Sequence, residues 1–530
     1  MRTSMTEPSK THITVPISAP TPRVMTELID RALIRGAEAI ELRVDALNGL
    51  SGPVVGDLVA QTRRRTGSSS PIVVTCRDKR EGGVIDHPLS IRIDAWISAI
   101  QAGADLVDVE LDNFRLPQVG QVVRDALAGH TGTRLILSSH SWAGRFANPQ
   151  MRYDECLAAY PGAVPKLVYT AKHINDCFDA LDLLRHGRGD KVVFCMGQAG
   201  LITRLLAKKL GALMTYASLD PALGTAPGQI PIDQMKGLYR SDAINVDTEV
   251  IGVIGDPVGH SMGPAIYNAC FGRQDMNRLY LPFWVTGGRD ELFGFLDAVR
   301  ARPWLGFRGF SVTLPHKTSV LEYAKARGGQ VDPLAARIGA VNTLLLDPEG
   351  GIKAFNTDYI GAMEAITSTL DIRRDDLRGW PVAVVGAGGV ARAIVAGLRD
   401  AGAKVTIYNR TVSKAQALAD EFGCAYSPLE ELAKVKARLL VNCTSIGMHP
   451  DVGSSPIPAE YLRQDMAVFD TVYNPPQTRL LRLAADKGAT CIDGVAMFVN
   501  QALAQFRSFT GRDASAALMR KVVAHCLAGG

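Results

Sequence analysis

The sequence predicts an α/β chain: a parallel barrel of eight strand-helix repeats, followed by two further α/β units. Three observations carry that expectation. Short β-branched apolar runs alternate with helical stretches over about the first 240 residues, a usual length for an eight-fold barrel. Beyond them a strand runs into the glycine-rich turn Gly386-Ala387-Gly388-Gly389-Val390-Ala391 and on into a helix. The third is one residue, Lys166, inside the otherwise apolar run Ala163-Val164-Pro165-Lys166-Leu167-Val168-Tyr169.

The eight runs are His12 to Pro16, Ala39 to Val44, Ile72 to Cys76, Leu106 to Leu111, Leu135 to Ser139, Val164 to Tyr169, Lys191 to Met196 and Leu213 to Ser218. They set a barrel over 10–240. The polar stretch Arg240-Ser241-Asp242-Ala243-Ile244-Asn245 opens a linker, 241–248. A second unit, 249–360, has strands near Val250 to Gly255, Leu279 to Phe283 and Gly309 to Thr313, and a hairpin around Asp347-Pro348-Glu349-Gly350-Gly351. The third, 361–495, carries the glycine turn after Pro381 to Val385 and a further strand at Lys404 to Tyr408. Residues 496–530 are expected to return as helices to the second unit.

Composition narrows the class. With 530 residues, 47% hydrophobic and 21% charged, the chain has material for several full cores. A net charge of +5 over this length is too dilute for nucleic acid, and Arg63-Arg64-Arg65 and Lys208-Lys209 read as solvated helix ends. Met1 to Pro8 lacks an apolar segment and no stretch has the length and apolarity of a membrane span, so a cytoplasmic protein without membrane partners is expected. The nine cysteines are scattered without a CxxC pair, which indicates neither a disulfide framework nor a metal site. Cys76, Cys195 and Cys443 read as small core residues.

The barrel's polar residues gather at strand C-termini, where barrels of this kind keep their chemistry. Glu41 and Arg43 lie on the second strand, Arg77 closes the third, Glu110 is on the fourth, His140 ends the fifth and Lys166 lies in the sixth. Burial is expected to lower the Lys166 pKa and free an amine that attacks a carbonyl to form an imine. His140 on the neighbouring strand is positioned to move protons at the adjacent, acidified carbon, so that a β-hydroxyl leaves as water. Glu81 is expected to fix the imidazole tautomer, and Arg77 and Arg204 to clamp a carboxylate. The structural alternatives are a lysine snorkelling at a strand end and a Glu41–Arg43 ion pair at the barrel rim.

The segments Glu41-Leu42-Arg43-Val44-Asp45, Arg77-Asp78-Lys79-Arg80-Glu81-Gly82-Gly83, Ser139-His140-Ser141-Trp142, Val164-Pro165-Lys166 and Ala226-Pro227-Gly228-Gln229 together resemble type I 3-dehydroquinate dehydratase. The resemblance implies that Lys166 carries the imine to 3-dehydroquinate, that His140 is the general acid/base, and that Glu41, Arg43, Arg77, Arg204, Thr225 and Gln229 hold the substrate. Thr203 and Thr225 stand where the family more often has serine, and both keep a hydroxyl.

In the second half, the Gly386 turn between strand and helix fits a Rossmann dinucleotide site, with the pyrophosphate at the helix N-terminus. Asn409-Arg410-Thr411 and Lys414 occupy the place of an acidic residue that would bind ribose hydroxyls, which favours the 2′-phosphate of NADP. Phe310-Ser311-Val312-Thr313-Leu314-Pro315-His316-Lys317, Ile338 to Thr343, Asn356-Thr357-Asp358, Asn442-Cys443-Thr444-Ser445, Tyr473-Asn474-Pro475 and Gly494-Val495-Ala496-Met497 with Gln501 resemble shikimate dehydrogenase. That resemblance implies a proton-transfer dyad of Lys317 and Asp358. It further implies ring hydroxyls held by Thr313, Asn342 and Gln501, the carboxylate by Ser261, Tyr473 beside the substrate, and Thr444 and Gly494 beside the cofactor.

The loop Ser261-Met262-Gly263-Pro264 departs from the family's Ser-x-Ser-Pro, and Tyr267 replaces a usual histidine. The lost hydroxyl opens space that would admit the extra hydroxyl of quinate. The expected function is a bifunctional enzyme of the shikimate pathway, acting on 3-dehydroquinate and then on 3-dehydroshikimate with NADPH. A catalytically impaired metabolite sensor and a different Schiff-base lyase remain as alternatives.

Overall fold

A computed structural model of the chain describes residues 10–434 and 436–528. The described residues form two compact units, one within 1–249 together with 277–302, the other within 250–276 together with 303–530.

The first unit contains eight parallel strands: β1 (His12–Ile17), β2 (Ala39–Arg43), β3 (Ile72–Thr75), β4 (Leu106–Glu110), β5 (Arg134–Ser141), β6 (Val164–Thr170), β7 (Val192–Met196) and β8 (Met214–Tyr216). Their order is β7-β6-β5-β4-β3-β2-β1-β8, and the Leu213 amide donates to Lys191 O at 2.8 Å between the two outer edges. Every expected strand is present. Alternation along a strand sends one residue inward and the next toward the helices. Val73, Leu106, Ile136, Val164, Val192 and Met214 form the apolar floor inside the barrel. Cys76 and Cys195 are fully buried, as expected, and Cys443 only partly.

Lys208 and Lys209 are not solvated helix ends. Lys208 Nζ donates to Ser241 O and Asp242 O at 3.1 Å each, and the buried Lys209 donates to Val246 O at 2.7 Å. Carbonyls of the segment after the barrel thus hold both ammonium groups, and Lys209 is drawn out of water. Residues 277–302, with β9 (Arg278–Trp284) and the helix Arg289–Arg300, group with the barrel. A bidentate Arg302–Asp182 pair at 2.7 and 2.6 Å and the packing of Phe295 on Phe178 hold them there.

In the second unit, β10 (Glu249–Gly255) pairs in parallel with β11 (Phe307–Val312). β11 pairs antiparallel with β12 (Thr343–Leu346), which turns through the expected hairpin into β13 (Ile352–Phe355). Six parallel strands follow: β14 (Pro381–Val385), β15 (Lys404–Asn409), β16 (Ala425–Pro428), β17 (Leu439–Asn442), β18 (Ala467–Asp470) and β19 (Thr490–Ile492). Their order, β16-β15-β14-β17-β18-β19, is that of a doubly wound dinucleotide fold, with its reversal between β14 and β17. Val382 and Val384 pack to one side of this sheet, Ala383 and Val385 to the other, so both faces are covered.

The helices Thr357–Leu370 and Gly494–Thr510 cross closely at Gly361, where an added Cβ would lie 2.6 Å from Met497 O. Among the described residues no helix is long and apolar enough to cross a membrane.

Candidate active sites

Above the apolar floor of the barrel the inward positions turn polar. Lys166 lies on β6 directly beside Ser138 of β5, and its Nζ donates to Asp108 Oδ2 at 2.9 Å and Glu41 Oε1 at 3.1 Å. Asp108 also accepts from Arg77 Nη2 at 2.7 Å and Ser138 Oγ at 2.6 Å, and Glu41 accepts from Thr75 Oγ1 at 2.9 Å. Arg77 reaches Glu110 at 3.0 Å, and Glu110 in turn receives Arg92 at 2.5 Å and Asn113 at 2.9 Å. All these groups are buried, so each charge depends on its partners.

The network reverses the expected pKa shift. Burial alone would lower the Lys166 ammonium, but the Asp108 and Glu41 carboxylates outweigh it and raise the group above its ordinary value. Lys166 therefore rests as an ammonium. Burial would raise Asp108, and Arg77 and Lys166 instead hold it well below the usual carboxylate range.

His140 Nδ1 stands 3.0 Å from Glu81 Oε2, which also accepts the His140 backbone amide at 3.0 Å. The predicted orienting contact is thus present. Burial, with Arg77 and Lys166 beside it, holds the imidazole well below its ordinary value. Burial, opposed by Arg77 and reinforced by Glu110 and Asp108, pushes the Glu81 carboxyl up to about 8.

The rim ion pair between Glu41 and Arg43 does not form. Glu41 serves Lys166, while Arg43 makes a bidentate pair with Asp45 at 2.9 Å through both Nε and Nη2. Arg77 and Arg204 line the same pocket as Lys166, His140, Thr225 and Gln229, but in different states. Arg77 is committed to Asp108, Glu110 and Ser138. Arg204 has all three guanidinium nitrogens buried without a hydrogen-bond partner and stacks 4.2 Å over Phe194, and burial pulls its pKa down to about 10. A planar cation held open in this way suits a carboxylate. Thr225 donates to Gln229 Oε1 through its backbone amide at 2.9 Å and its hydroxyl at 3.3 Å.

In the second unit Lys317 begins the helix Lys317–Ala326, and its Nζ lies 2.5 Å from Asp358 Oδ2. Asp358 sits in the first turn of Thr357–Leu370, where Asn356 accepts its amide at 3.0 Å and the helix end favours an acid. Asn342 Nδ2 donates to Asp358 Oδ1 at 2.9 Å and Thr357 Oγ1 at 3.0 Å, and Thr357 reaches Gln501 at 3.5 Å. Lys317, Asp358, Asn342 and Gln501 thus share one network. Thr313, just after β11, is half-buried, Ser261 accepts the Gly263 amide at 3.2 Å, and Tyr473 packs on Phe498 at 4.9 Å.

The glycine turn fits a dinucleotide. Gly386, at φ +111, has Cys443 backbone 3.1 Å from where a Cβ would stand, so only glycine fits there. An added Cβ on Gly388 or Gly389 would meet nothing within 4 Å, which leaves room for a diphosphate beside the helix Gly389–Asp400. Ala387, Val390 and Ala391 complete the turn. Asn409 accepts no acid's role; its Nδ2 donates to Thr411 O at 2.8 Å, beside the exposed Arg410 and Lys414. Thr444 donates to Asn442 at 2.7 Å at the end of β17, across the strand-order reversal. Gly494 is fixed by packing, since a Cβ would lie 2.4 Å from Val472 O.

Sequence reasoning missed Asp108, Asp45 and Gln505. Asp108 was legible as a second acid two residues before Glu110 on a buried strand, hence on the same inward face. Gln505 lies inside a helix and joins Tyr267, Ser311, Asn342 O and Thr343 at 2.7 to 3.0 Å; helix periodicity alone does not mark it. Asp108→Ala should cost about 3–5 kcal/mol of stability, because it strands Lys166 and Arg77. Urea unfolding at pH 7 checks this, and a loss below about 1 kcal/mol, the scale of an exposed pair, would contradict it.

Four family models match the chain: type I 3-dehydroquinase over residues 13–246, shikimate dehydrogenase substrate binding domain over 253–344, shikimate/quinate 5-dehydrogenase over 369–452 and shikimate 5′-dehydrogenase C-terminal domain over 494–524. The chloroplastic bifunctional 3-dehydroquinate dehydratase/shikimate dehydrogenase of Arabidopsis thaliana is 34% identical over 517 residues, covering 92% of this chain and 81% of that protein. The shikimate dehydrogenase (NADP(+)) of Methanosarcina mazei is 40% identical over 289 residues, covering 53% of this chain and 99% of that protein. A solved structure of dehydroquinate dehydratase and shikimate dehydrogenase from S. pombe AroM covers 97% of this chain and 98% of its own, at 25% identity and a TM-score of 0.44. The chain belongs to the family of bifunctional 3-dehydroquinate dehydratase/shikimate dehydrogenases.

Proposed function

We propose that the chain catalyses two consecutive steps of the shikimate pathway: dehydration of 3-dehydroquinate in the barrel, and NADPH-dependent reduction of the resulting 3-dehydroshikimate to shikimate in the second half. The observation that carries this reading is the presence in one chain of both the Lys166–His140–Glu81 pocket and the Lys317–Asp358 pair beside a dinucleotide cradle. The limits 10–240, 249–360, 361–495 and 496–530 are proposed for its functional parts, with 241–248 as linker. A reducing, cytoplasmic setting fits nine free cysteines.

In the barrel, the substrate carboxylate enters the field of Arg204, and Arg43, Glu41, Thr225 and Gln229 fix the ring. Lys166 Nζ forms the imine with the ketone. The iminium acidifies the adjacent carbon, His140 Nε2 removes its proton, and the same imidazole returns a proton to the departing hydroxyl. Arg77 holds Asp108 and Glu110 rather than the substrate.

In the second half, Gly386, Gly388 and Gly389 would admit the diphosphate, with Asn409, Arg410, Thr411 and Lys414 at the 2′-phosphate and Thr444 and Gly494 beside the cofactor. When bound, NADPH supplies the hydride. Lys317 Nζ donates a proton to the substrate oxygen, and Asp358 keeps that ammonium oriented and charged. Asn342, Thr313 and Gln501 hold ring hydroxyls, while Ser261 and Tyr473 close on the carboxylate end.

Purified protein given 3-dehydroquinate should form 3-dehydroshikimate, and with NADPH should consume the cofactor. Borohydride added during turnover should leave a mass adduct on Lys166. Absence of that adduct would sink the dehydratase assignment.

The pH profile of the dehydratase follows from Glu81. Its carboxyl is pushed up to about 8. Below that pH it is protonated and donates to Nδ1, which places the remaining imidazole proton on Nε2 and removes the base. Above it, the carboxylate accepts Nδ1–H and leaves Nε2 bare. The kcat/KM profile should therefore rise through about pH 8. In Glu81→Gln, the amide oxygen accepts Nδ1–H at every pH, so the limb should move below 6.5, where His140 itself titrates. An unmoved limb refutes the pairing.

A second reading, use of quinate, rests on Gly263, which is buried at the first position of the helix Gly263–Arg273 and leaves Ser261 as the loop's remaining carboxylate-binding serine. Gly263→Ser should lower kcat/KM for quinate relative to shikimate. An unchanged ratio ends the idea.

A further inference from the structure

Tyr216, at the end of β8, has a buried hydroxyl that makes no hydrogen bond of ordinary geometry, although Lys166 lies close enough to act on its ionisation. It is not a remote core group. Its ring lies 4.6 Å from Lys166 Nζ, it lines the pocket that holds Lys166 and His140, and it packs on Phe194 at 5.4 Å, the ring that carries Arg204. Phenylalanine would fill the same volume and present the same π face to the ammonium. The hydroxyl adds only the cost of losing water without a partner, unless something in the pocket completes it.

We propose that Tyr216 is a catalytic residue of imine formation, its hydroxyl relaying protons from Lys166 Nζ to the oxygen of the substrate ketone. The proposal rests on the Schiff-base reading of Lys166 above. Its chemistry balances without an outside acid. Lys166 rests as an ammonium with three protons. In the first step, Nζ gives one proton to the phenol oxygen as the phenol gives its own to the carbonyl oxygen. The freed lone pair forms the C–N bond, the C=O π pair moves to oxygen, and a carbinolamine results.

In the second step another Nζ proton passes through the phenol to the hydroxyl. The C–O bond breaks, water leaves, and the nitrogen lone pair makes the iminium, which keeps the third proton. Tyr216 ends each step as a neutral phenol. That agrees with its surroundings, since burial keeps its pKa above the ordinary tyrosine value against the pull of Lys166. Glu41 and Asp108 hold the ammonium until the carbonyl arrives, and Arg204 draws the substrate carboxylate to the same wall.

Rapid-quench borohydride trapping with 3-dehydroquinate tests the relay in the full chain. Tyr216→Phe should slow appearance of the Lys166 adduct roughly 10²-fold, the scale of a lost proton-transfer group. KM should change little, and the thermal unfolding midpoint should stay that of the parent. In the wild type, imine formation should show a solvent deuterium isotope effect, a readout independent of any variant. The relay is overturned if Tyr216→Phe traps at the parental rate, if the variant raises KM alone, or if the isotope effect is absent. An unmodified Lys166 in the wild type would instead overturn the Schiff-base reading itself.

Discussion

A lysine buried inside a barrel needs its charge matched and its position fixed, and the contact of Lys166 with Asp108 and Glu41 does both. Two carboxylates beside one ammonium leave an excess of negative charge, so Arg77 is needed against Asp108, and Thr75 and Ser138 fill remaining lone pairs. Arg77 then requires Glu110, and Glu110 requires Arg92 and Asn113. The network runs from Lys166 Nζ to the helix Leu89–Gln101, which bears Arg92. Buried ionic groups stabilise only when nearly all of them are paired. The geometry of Lys166 is therefore set by residues spread over four strands, β2 to β5, and two helices.

The second lysine faces a different constraint. Lys317 is half-buried, makes one short contact with Asp358 and belongs to a smaller network through Asn342, Thr357 and Gln501. In the proposed reduction it hands over a proton, which calls for a cation near water rather than a sequestered amine. Its partners are placed by helix starts: Lys317 and Asp358 both occupy first turns, and Asn356 caps the turn that carries Asp358. Barrel layering positions one lysine, helix capping the other.

Strands and the dinucleotide turn were legible in the sequence because their signals are local. A run such as Val164 to Tyr169 is, Lys166 apart, apolar on both faces of a covered sheet, and Gly386 is demanded by the backbone within a few residues. His140 and Glu81 were also legible as a pair. What escaped is set across the barrel. Asp108 meets Lys166 from 58 positions away, so the sign of the lysine's pKa shift could not follow from burial alone. Arg43 has carboxylates two positions away on either side, Glu41 and Asp45, and only the strand's end, where Val44 begins a short helical turn, turns Asp45 toward its guanidinium. Lys209 looked solvated because the carbonyl it serves comes from a later segment.

The barrel pocket's charges also distinguish its arginines. Lys166 is matched by Asp108 and Glu41, Arg77 by Asp108 and Glu110, and Arg43 by Asp45. Arg204 is the cation in this set left without a carboxylate, and it is also the one whose pKa burial pulls down. A guanidinium so placed gains most from an incoming anion, because the anion supplies both the missing charge and the missing acceptors. An arginine already engaged with Asp108, Glu110 and Ser138 would have to break those contacts to do the same. Arg204 is therefore left open to an anion, while Arg77 is committed to the acids around Lys166, so two residues of one type differ in what they can still bind.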